Sequence, residues 1–157
     1  MTVLDSEISE ANFHNLVRRL SEQSVRKHYD AYEDVPWDDH PIDGADPRWA
    51  LRETDPLGAT EWYRSLSPDL QARIGLHSTV QKMKTGLQFE GILKRGLLEF
   101  AEGLPNGAPE FRYVYHEVIE EAQHSLMFQE FVNRSGIDVP GLPWDARFGA
   151  RRVVSMG

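Results

Sequence analysis

The chain has 157 residues, 40% of them hydrophobic and 10% aromatic, which is enough to bury one compact core and too apolar for a disordered segment. Its 25 acidic and 17 basic residues leave a formal charge of -8, which disfavours nonspecific attraction to nucleic acid or to anionic lipid. Zero cysteines exclude disulfides, thiolate ligands and a cysteine nucleophile. Any metal must then be held by carboxylates and imidazoles, a donor set that suits iron or manganese better than structural zinc.

In chain order, residues 9–32 carry a helical pattern, with Phe13, Leu16, Val17, Leu20 and Val25 on one side and Arg18, Arg19, Arg26 and Lys27 on others. Residues 33–56 are dense in Pro, Asp and Gly, which turn the chain, and predict a long ordered loop anchored by Trp37 and Trp49. A short helix is expected over residues 60–66. Ser67-Pro68-Asp69 is a start signal, with Ser67 as N-cap and Pro68 in the first turn of a helix that runs to about residue 102. The breaker cluster Leu104-Pro-Asn-Gly-Ala-Pro109 ends it. The next helix is expected over residues 110–133, stopped by Ser135-Gly136, so that the two long helices form an antiparallel hairpin. Beyond Gly136 the chain shows turn residues and the arginines Arg147, Arg151 and Arg152, with no expected helix and no convincing strand.

No apolar run approaches the roughly 18 to 20 residues that span a bilayer. The first residues lack the basic and apolar regions of a signal peptide. The expectation is therefore a cytoplasmic protein with neither membrane nor nucleic acid as partner.

The chemistry is concentrated on the long helices. Val114, Glu117, Glu121, His124, Phe128 and Phe131 repeat at alternating spacings of three and four, so Glu121 and His124 lie on the stripe that packing should bury. Residues three apart on a helix share a face, and both can reach one metal ion. Glu90 interrupts a second apolar seam formed by Met83, Leu87, Leu93, Leu97 and Phe100. Buried carboxylates are costly unless paired, hydrogen-bonded or metal-bound, so two such interruptions point to a carboxylate metal site between packed helices. A bland alternative pairs Glu90 with Lys94, four residues on, at a partly exposed face. Glu120 and Glu117 compete with Glu121; Glu121 has the Glu-x-x-His spacing, Glu117 is a candidate supporting partner, and Glu120 reads as a solvated acid. Gly86 and Gly91 flank Glu90, where helix or ligand must approach closely. The remaining histidines, His14, His28, His40, His77 and His116, lack ligand partners by spacing, and no nucleophile elbow, phosphate loop or dinucleotide fingerprint is present.

The segments Asp46-Pro-Arg-Trp49, Asp55-Pro-Leu-Gly58, Gly86-Leu-Gln-Phe-Glu90, Gly96-Leu-Leu-Glu-Phe100 and the run from Tyr115 to Glu130 resemble the p-aminobenzoate N-oxygenase family of di-iron proteins. The resemblance implies an all-α, ferritin-like helical bundle, a di-iron centre, and O₂ activation with oxidation of a small substrate such as an aromatic amine. It maps Glu90, Glu121 and His124 onto metal ligands. Family members carry a second half with another Glu and a His-x-x-x-Glu-x-x-His helix, whereas no Glu or His follows Glu130 here. Residues 1–157 are therefore expected to form one domain equivalent to the N-terminal half of such an oxygenase. The missing donors would come from that other half or from a second copy of the chain in a homodimer.

Overall fold

The computed structural model describes the backbone of residues 3–154 and the side chains of residues 11–149 and of Arg152. Its α-helices are α1 (Val3–Arg26), α2 (Glu61–Arg64), α3 (Pro68–Glu102), α4 (Glu110–Ser135) and α5 (Trp144–Val154), with a 3-10 turn at Pro47–Trp49. Among the described residues there is no strand. None of their helices is long and apolar enough to cross a membrane.

Helix α3 begins as its sequence dictates: the Ser67 side chain accepts from Leu70 N and Pro68 occupies the first turn, where a missing N–H costs nothing. Helix α4 ends at Gly136, whose φ of 65° is the left-handed conformation that a glycine adopts without strain. Helix α1 stops at Arg26 and not at residue 32. The Asp30 carboxylate accepts from Tyr32 N (2.8 Å) and Glu33 N (3.0 Å), a local turn that replaces helical bonding. Residues 144–154, to which the sequence assigns no element, form α5, which packs back on α3.

Helices α3 and α4 form the antiparallel hairpin, α1 lies on α4, and the 3-10 turn lies on α3. The core gathers at the end formed by the first half of α3 and the last half of α4. There Leu76, Val80, Val132 and Val139 are buried and Ile42, Trp49, Met83, Phe131 and Ile137 close around them. The loop of residues 27–60 is ordered as expected. Trp37 Nε1 donates to Ala31 O (2.7 Å) and Trp49 Nε1 to Asp43 O (2.9 Å). The buried Tyr63 hydroxyl donates to Gln71 O (2.8 Å) and accepts from Leu51 N (2.8 Å), joining loop to helix. Contact there is so close that a Cβ on Gly75 would lie 1.8 Å from the Trp49 carbonyl oxygen.

Candidate metal centre

Midway along the hairpin, Lys84 Nζ donates to Gln129 Oε1 (3.1 Å) and sets α3 against α4. Two residues further along α3, a Cβ on Gly86 would meet the Phe128 ring at 3.0 Å, so the helices touch at this level. Glu90 follows by one turn. Gly91, by contrast, faces open space, so the expected close approach belongs to Gly86 alone of that pair.

The structure brings the three expected residues together. One donor atom from each of Glu90, Glu121 and His124 lies within 4.8 Å of the others. His124 Nδ1 is 2.8 Å from Glu121 Oε2 and 3.9 Å from Glu90 Oε1. Both carboxylates are largely buried, with 16% side-chain exposure each, while the imidazole is 42% exposed. The His124 ring stacks on Phe128, with ring centres 6.3 Å apart and planes 22° from parallel. Since that phenyl ring is itself lodged against Gly86, the imidazole has a packed support on one side.

Two carboxylates at this separation repel each other when both are ionised. Burial, then the hydrogen bond with Glu121 and the Glu121 charge, push Glu90 up to about 6, against a smaller downward pull from His124 and Lys94. Burial also raises Glu121, but hydrogen bonds with Glu90 and His124 and the charges of His124 and Lys94 outweigh it and hold Glu121 below its ordinary value. Below about pH 6 the pair therefore holds one proton, on the Glu90 side.

Lys94 departs from the i,i+4 partnership with Glu90 that its spacing allows. Its ammonium crosses to α4, donating to Glu121 O (2.9 Å) and to Ser125 Oγ, while Ser125 Oγ donates to the same carbonyl (2.8 Å). Burial lowers the Lys94 pKa, against the raising effect of Glu90 and Glu121. This clamp on the backbone of Glu121 escaped sequence reasoning, because a long side chain's non-local acceptor has no periodic signature.

Other candidate acids lie elsewhere. Glu117 hydrogen-bonds Tyr113 and raises its pKa, and with Glu120 it lines an open groove between α1 and α4. His14 pairs with Glu110 (3.2 Å), a link between α1 and α4 that spacing did not suggest.

The donor chemistry fits a divalent cation. Two carboxylate oxygens and one imidazole nitrogen converge, and the neighbouring cation, Lys94, is turned toward a backbone carbonyl and a serine. Carboxylate repulsion in this arrangement is relieved by a proton in acidic solution and would be relieved by a metal ion above that range. The set amounts to half of the four carboxylates and two histidines typical of ferritin-like di-metal bundles.

A packed hairpin of long helices with a Glu on one and Glu-x-x-His on the other defines the ferritin-like class of carboxylate metal bundles. The family profile described as P-aminobenzoate N-oxygenase AurF matches residues 10–154, and the chain belongs to that family. Over 136 residues it is 46% identical to the uncharacterized protein Rv0885 of Mycobacterium tuberculosis and to the uncharacterized protein Mb0909 of Mycobacterium bovis. That match covers 85% of this chain and 40% of each relative, so the chain spans about two-fifths of their length. No solved structure matches it.

Proposed function

We propose that residues 1–157 supply one half of a non-haem di-iron oxygenase that activates O₂ and oxidises a small substrate, with N-oxygenation of an aromatic amine as the specific reaction. The observation that carries this reading is the convergence of Glu90, Glu121 and His124 within 4.8 Å at the meeting of α3 and α4. Family membership supports the di-iron oxygenase chemistry in general terms.

In this reading Glu90, Glu121 and His124 are the ligands, and bound iron supplies O₂ activation and the electron transfers that the side chains cannot perform. The chain's own part is to hold the donors in register. The Lys94–Ser125 clamp fixes the Glu121 backbone, and Phe128 fixes the plane of His124. Glu90, with a pKa raised to about 6, still carries part of its proton in mildly acidic solution, and a bound cation would displace it.

Two carboxylates and one imidazole are half of a di-iron ligand set, so a partner must bring the rest. The first candidate is a segment corresponding to the additional length of the relatives, packed on the exposed seam of α3 and α4. A second copy of this chain offers the same donor count through two-fold symmetry and is the alternative.

Anaerobic titration with ferrous and with manganous ions, followed by elemental analysis, tests the site. Iron is expected at about one ion per chain, lost in both Glu121→Ala and His124→Ala; unchanged occupancy in both variants would remove the pair from the site. Sedimentation during the same titration separates the partners, because iron-dependent dimerisation favours the second copy. Mass-spectrometric detection of an N-oxygenated aromatic amine, with O₂ and reductant supplied to the completed assembly, tests the reaction. Iron loading without amine oxidation would sink the substrate class and leave the metal site standing.

A further inference from the structure

The Asp46-Pro-Arg-Trp49 segment takes no part in the metal cluster, yet it is built with care. Asp46 caps the 3-10 turn through Arg48 N and also holds the Arg48 guanidinium (Nε to Oδ2, 2.8 Å), while Trp49 is tied by its indole N–H to Asp43 O. Together with the preceding loop and α4 it encloses a cavity of about 410 Å³, with Trp37, Trp49 and Phe131 as aromatic walls and Val35, Pro41 and Ile42 filling between them. Trp49 and Phe131 meet edge to face, with ring centres 5.9 Å apart, and both rest on the buried core, so these walls are preformed. Phe131 is seven residues past His124 on α4, about 10 Å of helix rise away. The cavity is therefore separate from the metal cluster.

Its chemistry selects a cation. The indole N–H groups of Trp37 and Trp49 are both spent on backbone carbonyls, so what these rings offer a ligand is their π surface. Trp37 lines this cavity and also a neighbouring one that holds Arg134, whose guanidinium lies 5.6 Å from the ring centre. The ring thus already carries one guanidinium. The charged side chains of the lining are Asp43, Asp46 and Arg48, the last two paired with each other, and His40 stands beside them. Asp43 lies in the lining, with its Oδ1 accepting from Ala45 N (2.9 Å).

We infer that the cavity walled by Trp37, Trp49 and Phe131 is a binding site for a small organic cation of the quaternary ammonium type, with Asp43 as its counter-charge. The volume is that of a small-molecule pocket, and aromatic walls with an acidic rim are the recurrent solution for a cation that cannot donate a strong hydrogen bond. This inference does not depend on the metal reading and is tested without metal.

The experiment titrates the full chain with choline and, separately, with 3,3-dimethyl-1-butanol, the neutral analogue of the same shape, following tryptophan emission and heat. Saturable choline binding is expected, with the neutral analogue about tenfold weaker. Asp43→Asn preserves the hydrogen bond to Ala45 N and removes the charge, so it should weaken choline severalfold and leave the neutral analogue unchanged. Trp37→Leu, confirmed as folded by circular dichroism, should abolish the preference for the cation. Equal affinity for the two probes would make the cavity a plain apolar pocket, and no saturable binding of choline, or binding indifferent to both variants, would likewise overturn the assignment.

Discussion

The two ends of the α3–α4 hairpin are built from similar helical sequence and reach opposite outcomes. At one end Leu76 and Val80 are 3% and 0% exposed beneath the Trp49 loop and the segment after α4. At the other, Leu93, Phe100 and Ile119 are 46%, 55% and 53% exposed, although the seam that holds the first two continues the apolar periodicity that buries the first end. An apolar stripe specifies that a face should be covered, but only a partner covers it. The carboxylate cluster lies at the boundary between these regimes, with α3 and α4 in contact on its closed side and an unclothed seam on the other.

Paired substitutions at the two ends put numbers on the contrast. The largest difference is expected for glycine replacement. Gly75→Ala forces a methyl group into the Trp49 carbonyl and should cost about 3 kcal/mol or more. Gly96→Ala, with nothing within 4 Å of the new methyl, should add up to about 1 kcal/mol through helix propensity. Urea unfolding of both variants checks this, and similar losses would mean that the open end is not open. Next, Leu76→Ala should destabilise by about 2 to 4 kcal/mol and Leu93→Ala by less than about 1 kcal/mol in the same assay.

The boundary itself responds to pH. Because Glu90 is raised from 4.5 to about 6, its contribution to stability is full below pH 4.5 and is lost as pH rises through 6. Glu121 is lowered, so its contribution runs the other way, present above its unfolded value and lost as pH falls. Glu90→Gln mimics the protonated acid. It should therefore match the parent chain near pH 4 and exceed it at pH 7 by on the order of 1 kcal/mol. Thermal melts without metal at the two pH values decide the point, and a variant less stable at pH 7 would contradict the shared-proton description. The smallest effect is expected from Phe100→Glu with Ile119→Glu, which should leave the melting temperature within a few degrees while reducing self-association in sedimentation.

The hairpin was legible because its signals are local. Ser67-Pro68 and Ser135-Gly136 fix a beginning and an end through a few neighbouring backbone groups, and the bounds of α3 match the expected ones. The trio of ligand candidates was legible for a related reason: an acid within an apolar stripe is visible wherever the stripe is. Helix α5 was not, since its large apolar side chains Trp144 and Phe148 are exposed. The spacing allowed Lys94 to pair with Glu90 as the bland alternative, and only the packed hairpin reveals that a backbone carbonyl on α4 competes successfully for its ammonium. The aromatic cavity was equally hidden. Trp37 and Trp49 could be recognised as anchors, but the space between them exists only once the loop has closed on Phe131.

The placement of the core also has a kinetic consequence. Residues 103–109 connect α3 to α4 at the open end, where bringing two helices together costs little loop entropy but removes little apolar surface from water. The rewarding contacts, Leu76 and Val80 with Val132 and Val139, lie at the far end and are separated by more than fifty residues of chain. An early encounter at the connection therefore gains little, and the barrier to folding should be crossed when the distant end condenses with the Trp49 loop upon it. Substitutions at Leu76 and Val80 should then slow folding, whereas those at Leu93 and Phe100 should leave its rate almost untouched. The carboxylate cluster, lying between the two, would be assembled by a chain already committed to its fold.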